Sequence, residues 1–290
     1  MSERTTRLWE SLSSWSGYYF DVTECLERGR SRYQEYEVWH SPLFGRMFRL
    51  DGGAMTSESD EFIYHENLIH VPGLAHAGPR SALVIGGGDG GSAEELFKYR
   101  TMQQVVLVEL DEKVIELARK YFPAVHRGAL DDPRLELRVQ DGLDYVRRVA
   151  PAEGRKFDLV VLDLTDPVGP AAALYQEEFF RACKALLTEG GALSLHVGAP
   201  DHQTERVREL LRRLRAVFAC VRPHLHYIPL YGANWMLACA SDALDPVSLD
   251  PATVDARIAE RGLGELRYLD GETYRARLVL PRYLREIVQP

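Results

Sequence analysis

Between residues 81 and 198 short apolar runs alternate with amphipathic stretches. Strand-like runs fall near 82–86, 105–110, 134–139, 157–163 and 191–198, and helical periodicity marks 90–100, 111–121, 142–149, 174–188 and 204–218. In the last of these, Val207, Leu210, Leu211, Leu214, Val217 and Phe218 share one face, and Arg206, Arg208, Arg212 and Arg213 read as solvated surface. Such alternation predicts a parallel sheet with helices on both faces, a Rossmann-like (methyltransferase-type) doubly wound α/β fold. Two further strands, 219–229 and 234–240, read as an antiparallel edge hairpin, and Asp250-Pro251 starts a helix that stops at Gly262.

Ahead of the alternating part the pattern changes. Gly17–Val22, Tyr33–Trp39 and Arg46–Leu50 read as short strands, with Asp51-Gly52-Gly53 as a hairpin turn, so a small N-terminal antiparallel β-domain is expected over residues 1–60. The catalytic-type domain then takes 61–290. It opens with a helix from Asp60 to Ala77 that Pro72 is expected to break.

The first strand runs into Gly86-Gly87-Gly88-Asp89-Gly90-Gly91, and the second ends in Glu109, 23 residues after Gly86. A carboxylate at that strand tip can hold a nucleoside ribose by its hydroxyls. The glycines also fit a dinucleotide fingerprint, but Asp89 in the turn would repel a pyrophosphate. A cationic adenosyl-sulfonium fits it better.

Composition narrows the classes. With 290 residues, 46% hydrophobic content and a net charge of −8, the chain has the core of a globular protein and lacks the basic surface of a nucleic-acid binder. Cys25, Cys183, Cys220 and Cys239 lie far apart without metal-ligand spacing, which fits a reduced cytoplasmic compartment. No apolar run approaches the roughly 20 residues of a membrane span. Neither a metal nor a permanently bound cofactor is expected.

Ligands of open α/β sheets sit beyond the carboxyl ends of the strands. Four successive strands here lead into acid: Asp89, Glu109, Asp141, and the pair Asp163 and Asp166. That strongly negative rim is suited to a polycation.

The chain resembles the polyamine aminopropyltransferases, of which spermidine synthase is the best known. The resemblance rests on Ser31-Arg32-Tyr33-Gln34, Asp60-Glu61-Phe62-Ile63-Tyr64-His65-Glu66, the glycine turn with Asp89, Val108-Glu109-Leu110-Asp111, Asp141-Gly142, and Asp163-Leu164-Thr165-Asp166-Pro167-Val168-Gly169-Pro170. It implies decarboxylated S-adenosylmethionine as co-substrate and 5′-methylthioadenosine as product. Gln34, Glu109, Asp141, Gly142 and Pro170 would hold the methylthioadenosine part, with Glu109 on the ribose and Asp141 on the adenine amino group. Asp89 would take the aminopropyl ammonium, and Tyr64, His65, Asp163, Asp166 and Tyr231 the acceptor. Asp163, helped by Tyr64, would take the proton of the attacking amine. Family members assemble through the N-terminal region, where Trp9, Trp15, Tyr18, Tyr19 and Phe20 cluster, so a homodimer or homotetramer is expected.

Three departures bear on the acceptor. Residues 228–235 differ from the usual spermidine synthase loop, His196 stands where glutamine is common, and 264–271 resembles the enzymes that make thermospermine or act on agmatine. Putrescine is expected first, with spermidine, agmatine or another diamine behind it. A methyltransferase or oxidoreductase on the same scaffold, and a polyamine-binding protein without activity, are the alternatives from other classes.

Overall fold

The computed structural model describes residues 5–167, 169–264 and 266–288. Its N-terminal part is antiparallel: β1 (Thr6–Ser11) and β2 (Gly17–Val22) form a hairpin, and β3 (Glu24–Arg30), β4 (Glu35–Ser41), β5 (Gly45–Leu50) and β6 (Gly53–Ser57) form a four-stranded meander. Of these, β1, β3 and β6 escape the sequence pattern because their alternation of buried and exposed positions is weak. The buried Arg49 guanidinium ties the two sheets together, reaching Glu10 at 3.1 Å and Glu37 at 2.7 Å.

The main sheet contains β7 (Ser81–Gly86), β8 (Gln104–Glu109), β9 (Leu135–Val139), β10 (Phe157–Asp163), β11 (Leu187–Gly198), β12 (Cys220–Ile228) and β13 (Ala233–Ser241). Their order is β12-β13-β11-β10-β7-β8-β9. The strands from β11 to β9 are parallel, while β13 and β12 add the expected antiparallel edge. Successive residues bury on opposite faces: Ala82, Val84, Leu159 and Val161 join one core, and Leu83, Ile85, Val160 and Leu162 the other. That two-sided burial is why these strands read as unbroken apolar runs.

Helix α1 (Glu61–Ala75) is buried on nearly every side and passes Pro72 without ending, contrary to the expected break. The missing N–H of Pro72 frees the carbonyl of Leu68 four residues back. Ser194 Oγ supplies the replacement, donating to Leu68 O at 2.6 Å. On the opposite side, Glu66 accepts backbone N–H bonds from Arg267, Tyr268 and Leu269 at 2.6–3.0 Å and pins the C-terminal segment to the helix. The other helices of the sheet follow the sequence pattern, among them α2 (Gly91–Phe97), α3 (Glu112–Tyr121), Glu177–Ala185, Thr204–Arg215 and Pro251–Arg261.

On β12, His224 and His226 face the core and bond each other through Nδ1 and Nε2 at 2.6 Å. Burial depresses both, His224 to about 3. The unfolded chain takes up these protons near pH 6.5 and the fold refuses them, so stability is lost as pH falls from 6.5 toward 3. At pH 5 this costs about 2 kcal/mol for His224. Melting temperature is therefore expected to fall between pH 7.5 and pH 5, and a His224→Phe, His226→Phe double variant should show a flatter acid limb.

Candidate active site

The strand order reverses between β7 and β10, and Gly86 stands beside Asp163 there. Ligands bind at such switch points because the connecting segments diverge. Gly86 has φ +80°, and a Cβ on it would lie 2.1 Å from the Asp163 carbonyl. Gly87 N donates to that carbonyl at 2.8 Å, so the glycine turn is locked to the end of β10. Gly91 answers a different need: a Cβ there would meet the His65 ring at 2.2 Å. The turn is therefore bare where Asp163 and His65 must approach.

Above the turn lies a cavity of about 590 Å³ whose walls come from all three sheets, α1 and the connecting loops. Gln34, Tyr64, His65, Asp89, Glu109, Asp141, Gly142, Asp163, Asp166 and Tyr231 all line it, so ten of the eleven expected site residues converge. The eleventh is Pro170, whose side chain lies outside the described residues. None of the described residues of 264–271 lines it; Arg267, Tyr268 and Leu269 are bonded to Glu66 instead.

At the β8 end, buried Glu109 accepts from Gly88 N at 3.2 Å and Asp111 N at 2.9 Å. Burial raises its carboxyl to about 7. Asp141 caps the next turn, accepting from Leu143 N at 2.7 Å. Asp111, not anticipated as a site residue, accepts from Ser31 Oγ at 2.5 Å and Gln34 Nε2 at 3.0 Å. It thereby fixes the N-terminal loop 31–34 over this end, and its place two residues after Glu109 was the available signal.

The other end is the acidic one. Asp163 Oδ2 accepts from Ser92 Oγ at 2.7 Å, and the Tyr64 hydroxyl lies beside the same carboxylate. His65 Nδ1 donates to Glu61 at 2.7 Å, while its Nε2 stands 3.7 Å from Asp89 and 3.8 Å from Asp163. Burial alone would depress this imidazole, but Asp89, Glu61 and Asp163 outweigh it and raise it to about 10. His65 Nε2 and the two carboxylate oxygens lie within 4.8 Å of one another. Burial, with Asp89 close by, pushes Asp163 above the usual carboxylate range against the pull of His65.

Tyr231 closes the side wall. Its hydroxyl donates to Met55 O at 2.7 Å, and its ring packs on Tyr64 and Trp235. Asp60 holds the short turn before it, accepting from Leu230 N at 2.7 Å. Asp166 departs from expectation: it is gripped by Arg206 Nη2 at 2.6 Å and Nη1 at 2.9 Å. Arg206 is thus half-buried against Asp166, a correction to the reading of this arginine as solvated.

Comparison with known proteins agrees with this geometry. Residues 61–249 match the spermine/spermidine synthase domain, and 12–58 match the spermidine synthase tetramerisation domain. The polyamine aminopropyltransferase of Nitrosomonas europaea is 48% identical over 96% of this chain and 85% of its own length. Polyamine aminopropyltransferase 2 of Hyperthermus butylicus is 38% identical over 97% and 92%. A spermidine synthase in complex with the transition-state analogue AdoDATO superposes with TM-score 0.90 at 32% identity, covering 99% of this chain and 97% of that one. Spermidine synthase from Thermotoga maritima gives 0.88 at the same identity and coverage. An acidic cavity at the sheet's switch point, shared architecture along almost the whole chain and 48% identity lead to one conclusion: the chain belongs to the spermine/spermidine synthase family and is a transferase of the polyamine aminopropyltransferase type.

Proposed function

We propose that the protein moves the aminopropyl group of decarboxylated S-adenosylmethionine to a diamine, putrescine first, releasing 5′-methylthioadenosine. The observation that carries this reading is the pairing of two unlike ends in one cavity. Glu109, Asp141, Gly142 and Gln34 stand where a neutral nucleoside needs hydrogen-bond partners, and Asp89, Asp163 and Tyr64 where ammonium groups must be held and one deprotonated. Pro170 belongs with the nucleoside end by family resemblance.

An alkyl ammonium with a pKa of about 10.4 costs about 4.6 kcal/mol to deprotonate at pH 7. Asp163, raised by burial, accepts that proton while Tyr64 orients the nitrogen. The nitrogen lone pair then attacks the methylene beside the sulfonium; the new C–N bond forms as the C–S bond breaks, and its electrons return to sulfur. Methylthioadenosine leaves neutral and needs no acid. Asp89 holds the ammonium of the aminopropyl arm, and protonated His65 keeps the neighbouring carboxylates from repelling one another. A methyltransferase reading fares worse, because the carboxylate of ordinary S-adenosylmethionine would meet this acidic cluster.

The test is methylthioadenosine release from the donor with putrescine, spermidine, agmatine and diamines of other lengths. Turnover with at least one is expected; release with none of them overturns the reading.

We infer in addition a homodimer or homotetramer formed through the β1–β2 hairpin, on which Trp9 is 67% and Trp15 96% exposed. Aromatic surface of this kind normally marks an interface. Light scattering at micromolar concentration should give a multimeric mass, and Trp9→Glu together with Trp15→Glu should lower it.

A further inference from the structure

The distal part of the acceptor pocket differs in charge from the reacting end. Asp166 donates no free negative charge, because both its oxygens are taken by the Arg206 fork. Burial works against its ionisation, but the Arg206 hydrogen bonds prevail and hold it below the usual carboxylate range. The neighbouring His196 is fully buried and depressed by that burial, hence neutral. Its tautomer follows from Tyr175, whose one hydroxyl proton goes to Thr165 O at 2.9 Å. His196 Nε2 must then be the donor to Tyr175 Oη at 2.5 Å, which leaves Nδ1 as a buried acceptor without a partner among the described residues. Trp235 stacks on the same imidazole. Asp166, His196, Gln203 and Trp235 all line the cavity.

Here −1 on Asp166 and +1 on Arg206 cancel, and a second ammonium gains only a lone pair and an aromatic face. We propose that Arg206 is an acceptor-specificity residue: by pairing with Asp166 it neutralises the distal subsite and weakens the binding of short diamines, which must displace the guanidinium or forgo the carboxylate. The arginine is held for this purpose. Its Nε–H is buried without an acceptor among the described residues, and Gly198, at φ +114°, leaves the room in which its fork lies. The proposal rests on the aminopropyl-transfer reading above, and deepens it by naming what tunes the amine.

The experiment measures KM and kcat for putrescine and for n-butylamine, which lacks the second ammonium, in wild type, Arg206→Gln, Arg206→Lys, Asp166→Asn and the Arg206→Gln, Asp166→Asn double variant. Arg206→Gln should lower the putrescine KM about 10-fold, with kcat within about two-fold and the n-butylamine KM unmoved, since a carboxylate freed of its partner attracts an ammonium. Arg206→Lys keeps the charge and should stay near wild type. Asp166→Asn leaves the guanidinium uncompensated and should raise the putrescine KM at least 10-fold, and the double variant should fall between the two. A putrescine KM that is unchanged or raised in Arg206→Gln overturns the proposal, as does a fall in kcat and melting temperature in both Arg206 variants, which would make the pair a structural latch. Failure of the wild type to release methylthioadenosine with any amine is a separate outcome and overturns the transferase reading instead.

Discussion

Asp163→Asn is expected to slow methylthioadenosine release by about 100- to 10,000-fold at neutral pH, the usual worth of a positioned general base. The substitution keeps the shape and can still accept from Ser92 Oγ, so the turn at Gly86 and Gly87 is preserved. Methylthioadenosine affinity should change little, because the nucleoside end is built from other residues, and the loss should therefore fall on kcat. The pH profile gives a second readout. The wild-type rate should climb through the mildly alkaline range as the acceptor sheds its proton unaided, and the variant should recover part of its deficit there. Near wild-type turnover at neutral pH in Asp163→Asn would show that Asp163 is not the base.

What the sequence made legible follows from local rules acting along the chain. Unbroken apolar runs and period-3.6 patterns marked the strands and helices of the main sheet, and the rule that ligands lie past carboxyl ends turned the acids after β7, β8, β9 and β10 into a site. Pairings between distant segments were not legible. Arg206 reads as helix surface until the chain after β10 is seen to bring Asp166 beneath it. Pro72 reads as a break until Ser194 on β11 takes its orphaned carbonyl. The described Arg267, Tyr268 and Leu269 give no local sign that Glu66 will hold them against α1. In each case a side-chain hydrogen bond spanning tens of residues outweighed a local propensity. The same holds for Asp111, whose role lies in gripping Ser31 and Gln34 rather than in capping α3 alone.

The second large effect is expected at Glu109. Its carboxylate gives one oxygen to Gly88 N and the other to Asp111 N, which leaves further lone pairs on the cavity side for two ribose hydroxyls. Bonds to an ionised acceptor are worth roughly 1.5–3 kcal/mol each, so Glu109→Gln should weaken methylthioadenosine by about 100-fold or more. Burial has raised this carboxyl to about 7, above the value of 4.5 natural to a glutamate, so its ionised form is disfavoured in the free fold. The sign follows from linkage: the native state holds the proton more tightly than the unfolded chain, and Glu109 costs stability as pH rises from 4.5 through 7. A nucleoside that binds the ionised form offsets that cost. Methylthioadenosine affinity should therefore increase between pH 6 and pH 8 and then level off, with about half a proton released per binding event at pH 7. Calorimetry in two buffers of different ionisation enthalpy measures that proton directly. In Glu109→Gln both the pH dependence and the proton release should vanish, while Asp163→Asn should retain them; a wild-type affinity that is flat from pH 6 to pH 8 would show that the ribose is not held by this carboxylate.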